Sequence, residues 1–222
     1  MIIAIDGPAA TGKSTSAKII AEKLGFTYLD TGAMYRCVTL AMLNAGISNS
    51  DTDKIDELLI NLDIDLREQN GEITILMNGV DVSDEIRSLE VTENVSAVSA
   101  LKSVRKAMVK MQRTIASKTN CVMEGRDIGT VVFPHAEFKF FLIGDIEIRA
   151  QRRQQDLLTL GEDKSIEELM EDIQRRDTYD SSREISPLKK AEDAIEIDTT
   201  DLTIHGQVSK IIEIVNKQKN KN

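Results

Sequence analysis

The sequence predicts an α/β fold with a parallel sheet, and three consecutive features carry this prediction. The apolar run Ile2–Ile5 passes directly into a glycine-rich loop, and the loop passes into a segment with apolar residues at helical spacing. A second short apolar run follows at Phe26–Leu29. A strand, a loop, a helix and a strand in this order form the βαβ unit of a parallel sheet.

The composition is that of an ordinary globular protein. The 222 residues carry 28 Lys+Arg against 37 Asp+Glu, a formal charge of −9, and 41% of them are hydrophobic. These proportions argue against a disordered chain. No apolar run approaches the ~20 residues of a membrane span, and the first residues lack the basic stretch of a secretion signal, so we expect no membrane association. The acidic charge disfavours long nucleic acids as partners, whereas a small phosphorylated ligand needs only a local positive cluster.

Cysteine usage indicates a reducing compartment. Cys37 and Cys121 lie far apart and form no CxxC pair. This pattern argues against a disulfide framework and against a zinc site. We therefore expect a cytoplasmic protein with two small, buried, apolar cysteines.

The first part of the chain is predicted to hold three helices. The first runs from about Lys13 to Leu24 and the second from about Ala33 to Leu43, each with a glycine soon after its end. Ser50 and Asp53 have the spacing of a capping box, so a third helix is expected to begin there and to reach about Asn61.

The segment that follows is predicted to be a small antiparallel sheet. Apolar residues alternate over Leu62–Leu66, Ile73–Met77 and Val80–Val82, and the pairs Asn70-Gly71 and Asn78-Gly79 separate these runs. Asn-Gly between alternating runs is a strong hairpin signal, because both turn residues must adopt positive φ. Two such turns describe a three-stranded meander inserted into the α/β chain.

The second part of the chain returns to alternating helices and strands. The expected elements, in order, are a helical stretch over 88–118, strands at Cys121–Met123 and Phe138–Ile143, a helix from about Ile146, a polar loop at Leu157–Lys164, a helix with a capping box at Ser165 and Glu168, a strand at Ile195–Ile197, a helix through Ile204–Val215 and a frayed tail at Lys217–Asn222. The continuous apolar runs suit central strands of a parallel sheet.

The residues Gly7–Ser14 match the phosphate-loop motif GxxxxGK[ST], with a predicted strand before it and a helix after it. Its glycines let the backbone N–H groups surround a diphosphate, and the helix N-terminus adds positive charge. Lys13 would reach the outer phosphates and the Ser14 hydroxyl would hold Mg²⁺. The other interpretation is an ordinary glycine turn before a helix. The motif predicts that a nucleoside triphosphate is bound, without saying how it is used.

Two uses of the triphosphate are disfavoured. A GTPase needs an NKxD segment, and the nearest string, Asn216–Lys219, lacks the aspartate. A motor ATPase usually has four apolar residues leading into Asp-Glu, whereas Phe140–Ile143 leads into Gly144-Asp145. A small-molecule kinase remains, and it needs arginines that bring two polyanions together.

Such arginines gather in the second half of the chain, around a loop that carries Gly161, as expected of a lid over phosphates. The six between positions 149 and 183 are Arg149, Arg152, Arg153, Arg175, Arg176 and Arg183.

Four segments together resemble the bacterial cytidylate kinase family, and the resemblance extends over essentially the whole chain. The segments are the phosphate loop Gly7–Ser14, Asp30–Arg36, Glu124–Pro134 and Arg176–Leu188. The string at 124–134 is the most specific of them, and Ala10 stands where many members of the family carry glycine. The resemblance implies transfer of a phosphoryl group from ATP, with Mg²⁺, to CMP or dCMP.

The resemblance also implies an organisation into subdomains. It implies a phosphate-loop core of three layers around a five-stranded parallel sheet, formed by 1–36 and 94–222, with a short lid at about 153–165. The insert 37–93, which contains the three-stranded antiparallel meander, would be the subdomain that binds the nucleoside monophosphate. The leading hypothesis is a monomer.

The residue roles below are those that the resemblance implies. The ATP-binding residues are Gly7, Pro8, Ala9, Ala10, Thr11, Gly12, Lys13, Ser14 and Thr15, and Ser14 is the metal ligand. Thr31, Arg36 and Arg126 would lie near the acceptor phosphate or its ribose, Ser96, Arg105, Asp127 and Arg183 would contact the cytosine, and Arg176 and Asp180 would contact the sugar. The catalytic residues would be Lys13, Arg126, Arg176 and Arg153 of the lid.

The side-chain types suit cytosine independently of the resemblance. Cytosine presents an N4 amino donor, which a carboxylate such as Asp127 can accept, beside acceptors that suit guanidinium groups. Uracil carries an oxygen in place of that amino group, so Asp127 would lose its partner. A kinase for another monophosphate, such as UMP or AMP, and a non-catalytic ATP-binding module remain as alternatives. No histidine or cysteine base is expected, and structural roles are favoured for His135 and His205.

Overall fold

The computed structural model describes residues 1–69, 72–159 and 161–219. Its α-helices are α1 (Lys13–Leu24), α2 (Thr31–Asn44), α3 (Thr52–Asn61), α4 (Leu89–Val98), α5 (Lys102–Ala116), α6 (Ile146–Thr159), α7 (Ile166–Ser182) and α8 (Ile204–Lys219). Its strands are β1 (Ile2–Asp6), β2 (Thr27–Asp30), β3 (Ile64–Gln69), β4 (Glu72–Met77), β5 (Val80–Asp81), β6 (Cys121–Gly125), β7 (Phe138–Ile143) and β8 (Ile195–Asp198). None of the helices within these ranges is long and apolar enough to cross a membrane.

The main sheet has five parallel strands in the order β2-β6-β1-β7-β8, which confirms the predicted α/β class. The central strand β1 pairs with β6 and β7, so that Ile3 lies beside both Val122 and Phe138. All three side chains are buried, as expected of central strands covered on both faces. The loop after β1 therefore lies at the carboxyl edge of the sheet, where α/β proteins bind their ligands.

The chain divides into two compact units. One consists of Met1–Tyr28 and Ala116–Asn222 and contains the phosphate loop with α6, α7 and α8. The other is Leu29–Ile115, which contains α2, α3, α4, the three-stranded sheet and most of α5. The segment 37–93 lies wholly inside this second unit.

The second sheet is the antiparallel meander that the alternating pattern predicts. Strands β3 and β4 pair with Ile64 opposite Met77, and β5 follows β4. Asn78 and Gly79 have φ values of 52° and 81°, so the second predicted turn is confirmed with both residues at positive φ. The first predicted turn, Asn70-Gly71, lies outside the described residues.

The prediction of one continuous helix over 88–118 is wrong, because α4 and α5 are separate helices. The chain leaves the helix at Ser99, whose N–H still bonds to the carbonyl of Val95 at 2.9 Å. The Ser99 hydroxyl donates to the carbonyl of Ser96 at 3.1 Å, a local bond that competes with a further helical turn. Since neither glycine nor proline marks this break, the sequence carried no signal for it.

One of the two predicted capping boxes is wrong. Helix α3 begins after Asp51, whose carboxylate accepts from the N–H of Ser48 at 3.1 Å, and the Ser50 hydroxyl contacts that of Ser48. The box at Ser165 and Glu168 is confirmed, because each side chain bonds to the other residue's backbone N–H.

Two helices extend beyond their predicted ends. Helix α6 continues through Leu157, expected to begin a loop, because that side chain is buried against α7. Helix α8 continues to Lys219, into the segment expected to fray, and residues 220–222 of that segment lie outside the described ranges. There Lys217 pairs with Glu213 at 2.5 Å, and Lys219 lies 5.0 Å from the ring centre of Phe26. Packing against α7 therefore extends α6, and side-chain contacts extend α8.

Candidate active site

The loop between β1 and α1 has the backbone that a phosphate loop requires. Gly7 and Gly12 have φ values of 149° and 84°, in the region that favours glycine. A Cβ on Gly7 would stand 2.2 Å from the carbonyl oxygen of Leu142, so another residue would not fit there. Helix α1 begins at Lys13, and the N–H groups of its first turn are available to an anion. The motif is therefore in its predicted context.

Lys13 is buried within this loop. Its Nζ donates to the carbonyl of Pro8 at 2.5 Å and to the Thr11 hydroxyl at 3.3 Å. Burial, together with the nearby Arg126, lowers the pKa of Lys13 to about 7, although Glu124 opposes the effect. A bound polyphosphate would favour the charged ammonium. The side chain is thus suited to carry its charge when an anion occupies the loop.

Ser14 and Glu124 are the oxygen groups beside the loop that fit a magnesium ion. The Ser14 hydroxyl donates to Oε1 of Glu124 at 2.8 Å, and Glu124 is buried at the end of β6. Within the described ranges, no three or more His, Cys, Asp or Glu side chains are grouped as a metal site. This donor set suits Mg²⁺, which takes one or two protein oxygens and completes its shell with phosphates and water.

Asp6, which the sequence analysis did not single out, organises the turn that carries Asp127. Its carboxylate accepts from the N–H groups of Ile128 and Gly129 at 2.8 and 2.7 Å. Burial raises the pKa of Asp6 to about 7, although the two backbone bonds oppose this effect. The signal available in the sequence was an aspartate at the end of a buried strand, directly before Gly7.

Asp127 itself is buried at the start of a π-helical turn, Ile128–Val132. Its backbone carbonyl accepts from the N–H of Val131 at 2.9 Å, but its side chain makes no capping hydrogen bond to that turn. The Asp127 side chain therefore does not serve as the cap of this turn.

A buried carboxylate joins two of the expected acceptor-site arginines. Oδ2 of Asp180 accepts from Nε of Arg126 at 2.9 Å, and Oδ1 accepts from Nη2 of Arg183 at 2.5 Å. The exposed fraction of the Asp180 side chain is 2%, and that of Arg183 is 6%. Arg183 also lies over the ring of Tyr179 at 5.6 Å. The fold thus gathers three of the predicted residues into one charged cluster.

Three further arginines of this unit lie on α6 and α7. Arg176 on α7 lies near enough to Lys13 to lower the lysine pKa, and Arg153 on α6 is half-buried. Arg152 instead donates to the carbonyls of Thr199 and Leu202, at 2.5 and 3.2 Å. It therefore supports the connection before α8.

The other four expected residues lie in the unit Leu29–Ile115. Thr31 is the buried first residue of α2, and Ser96 is half-buried on α4. Arg36 donates through Nη1 to the carbonyl of Ile86 and to the hydroxyl of Thr92, both at 2.9 Å. Arg105 is buried with its guanidinium 5.1 Å from the ring centre of Tyr35. These contacts fix the two guanidinium groups inside this unit.

Comparison with known proteins tests the resemblance directly. The model of the family described as "Cytidylate kinase" matches residues 3–217. The chain belongs to the cytidylate kinase family. A protein named cytidylate kinase from Lactobacillus johnsonii is 52% identical over 221 residues, which cover 99% of this chain and 96% of that protein. One from Bacillus subtilis is 49% identical over 216 residues, covering 97% and 96%. Family membership therefore extends over both compact units.

A solved structure supports the fold independently of sequence. An uncharacterized protein from Eubacterium ventriosum superposes with a TM-score of 0.54 at 14% identity, covering 98% of both chains. At this identity the likeness concerns the fold alone.

Proposed function

We propose that the protein transfers the γ-phosphoryl group of ATP to CMP or dCMP, giving ADP and CDP or dCDP. The observation that carries the proposal is the phosphate loop with buried Lys13 in the same compact unit as the Arg126–Asp180–Arg183 cluster. Such a combination suits a donor polyphosphate and an anionic acceptor, and relatives of near-equal length carry the name cytidylate kinase.

On the donor side, the backbone of the phosphate loop and the start of α1 would hold the ATP phosphates. The residues assigned to ATP are Gly7, Pro8, Ala9, Ala10, Thr11, Gly12, Lys13, Ser14 and Thr15. Ser14, with Glu124 beside it, would hold Mg²⁺, which neutralises charge on the phosphates when bound.

On the acceptor side, the assignments are those that the family resemblance implies. Thr31, Arg36 and Arg126 are assigned to the acceptor phosphate or ribose, Ser96, Arg105, Asp127 and Arg183 to the cytosine, and Arg176 and Asp180 to the sugar. Segment 37–93 would be the monophosphate-binding insert and 153–165 the lid, with Arg153 directed at the transferring phosphoryl group. The burial of Asp127 and Arg105 supports base recognition, because polar pairing discriminates most strongly away from water.

Transfer at this site needs no general base. The acceptor is a phosphate oxygen, and a monophosphate with a second pKa near ~6 is already largely deprotonated at pH 7. The work of the protein is then to align the two nucleotides and to neutralise charge on the phosphoryl group through Lys13, Arg126 and Arg176. We further propose a cytoplasmic monomer that acts without a nucleic acid polymer.

A panel of acceptors tests this function. Wild-type protein with ATP and Mg²⁺ is expected to release ADP rapidly with CMP and dCMP, and far more slowly with UMP, AMP or GMP. Faster turnover of AMP or UMP than of CMP would favour the alternative that the protein is a kinase for another nucleoside monophosphate. ATP binding without CDP at saturating CMP would favour the non-catalytic alternative, which family membership does not favour.

Base recognition by Asp127 predicts a change in selectivity. In Asp127→Asn, kcat/KM for CMP is expected to fall by about a hundredfold, because a carboxylate acceptor for N4 is replaced by an amide that can also donate. The same variant should lose far less with UMP, because an amide N–H suits the O4 oxygen of uracil. Steady-state kinetics with both acceptors measure the ratio. Equal losses for CMP and UMP would remove Asp127 from base recognition.

A further inference from the structure

An ion pair from outside the phosphate loop bonds to both the backbone N–H and the backbone carbonyl of one loop residue, Ala9. The N–H of Ala9 donates to Oδ1 of Asp177 at 3.1 Å, and the carbonyl of Ala9 accepts from Nη1 of Arg149 at 3.2 Å. Arg149 and Asp177 also bond to each other, Nη1 to Oδ2, at 2.5 Å. The three groups close a ring of hydrogen bonds around Ala9.

Burial and further bonding make this pair unlike a surface salt bridge. The exposed fractions of the Arg149 and Asp177 side chains are 8% and 14%. Arg149 also donates through Nε to the carbonyl of Gly144, after β7, at 3.0 Å. A buried, multiply bonded pair holds a defined geometry, whereas an exposed pair is screened by solvent. The backbone of Ala9 is therefore oriented by a buried ion pair whose arginine is also bonded to the chain directly after β7.

The next residue of the loop contacts the same two helices. Ala10 packs against the apolar cluster of Ala150 and Leu157 on α6 with Leu169 and Ile173 on α7. Its φ of 58° is unfavourable for a residue with a Cβ, so the methyl contact holds a conformation that the backbone alone disfavours. Helices α6 and α7 thus contact the loop at two consecutive residues.

We propose that Arg149 and Asp177 are positioning residues for ATP, acting through the backbone of Ala9. By fixing the two peptide groups on either side of the Ala9 Cα, the pair aims the following N–H groups of the loop at the donor phosphates. Because Arg149 lies on α6 and Asp177 on α7, the pair also ties the loop to this helix pair. Neither side chain needs to touch the nucleotide. The inference rests on the proposed function for its ligand, ATP.

Direct nucleotide binding tests the proposal without turnover. Calorimetric titration with ATP, in the absence of CMP, is expected to show a Kd about tenfold higher in Arg149→Gln and in Asp177→Asn. The double variant should also show a rise of about tenfold, because the pair acts as a unit and the losses do not add. In kinetics, KM for ATP should rise while KM for CMP stays within about twofold. Arg149→Lys keeps the charge and should restore part of the affinity.

The matched control is Asp172→Asn, which removes the same charge from α7 at an exposed pair with Arg175. It should leave the ATP affinity unchanged. An unchanged ATP Kd in the Arg149 and Asp177 variants, with only a lower Tm, would overturn the proposal and leave a pair that merely joins α6 to α7. Should a neutral variant fail to fold, an unchanged Kd in Arg149→Lys would overturn it equally. Failure of the proposed function is distinguishable, because it appears as wild-type ATP binding without transfer to CMP.

Discussion

Lys13→Ala is expected to lower kcat for CMP phosphorylation by about a thousandfold, the size of effect seen when one buried charge-stabilising contact is lost. The Lys13 ammonium lies within the phosphate loop, and only 5% of the residue is exposed. The loop Gly7–Ser14 contains no second lysine that could take its place. Charge that develops on the transferring phosphoryl group would then lose its nearest cation.

The same substitution should leave the fold intact. Because burial lowers the pKa of Lys13 from its ordinary 10.5 to about 7, the stability of the free protein falls as the pH drops from 10.5 to about 7, and the full cost of the buried charge is present below that value. Removing the ammonium therefore should not lower Tm. The control is Lys18→Ala on the exposed face of the same helix α1, which should retain full activity. A Lys13→Ala variant that keeps about a tenth or more of wild-type kcat would contradict the assigned role.

Asp180→Ala is expected to lower the free energy of unfolding by about 3–5 kcal/mol. The substitution leaves the guanidinium groups of Arg126 and Arg183 without their shared carboxylate, and the exposed fractions of those side chains are only 18% and 6%. An unpaired buried charge costs much more than the pair contributes, so the loss should exceed that of an ordinary surface change. Urea unfolding followed by circular dichroism measures it.

Asp172→Ala on the same helix provides the comparison. Its ion pair with Arg175 is exposed, and its loss should change the free energy of unfolding by less than about 1 kcal/mol. Equal stability losses in the two variants would show that burial of the Asp180 cluster is not what stabilises it.

Local patterns predicted most elements of this fold correctly. Strand β1 and helix α1 were predicted from the apolar run Ile2–Ile5 and the phosphate-loop motif that follows it. Both signals depend only on residues that are close together in the sequence. The Asn78-Gly79 turn was also predicted correctly, since few other residue pairs adopt positive φ at both positions. The break at Ser99 was missed because neither glycine nor proline marks it. The start of α3 was missed because the consecutive polar residues 48–52 offered competing caps.

Chain pattern and family motifs determined the α/β class, the phosphate loop and the identity of the charged residues, since each depends on types and spacings along the chain. Only the tertiary structure decided which of those charges meet. The bonds from Ala9 to Asp177 and Arg149 join residues 168 and 140 positions apart, and no local spacing encodes such a partnership. Burial, which is set by how the helices pack on the sheet, also decided that Asp6 and Lys13 both acquire a pKa of about 7.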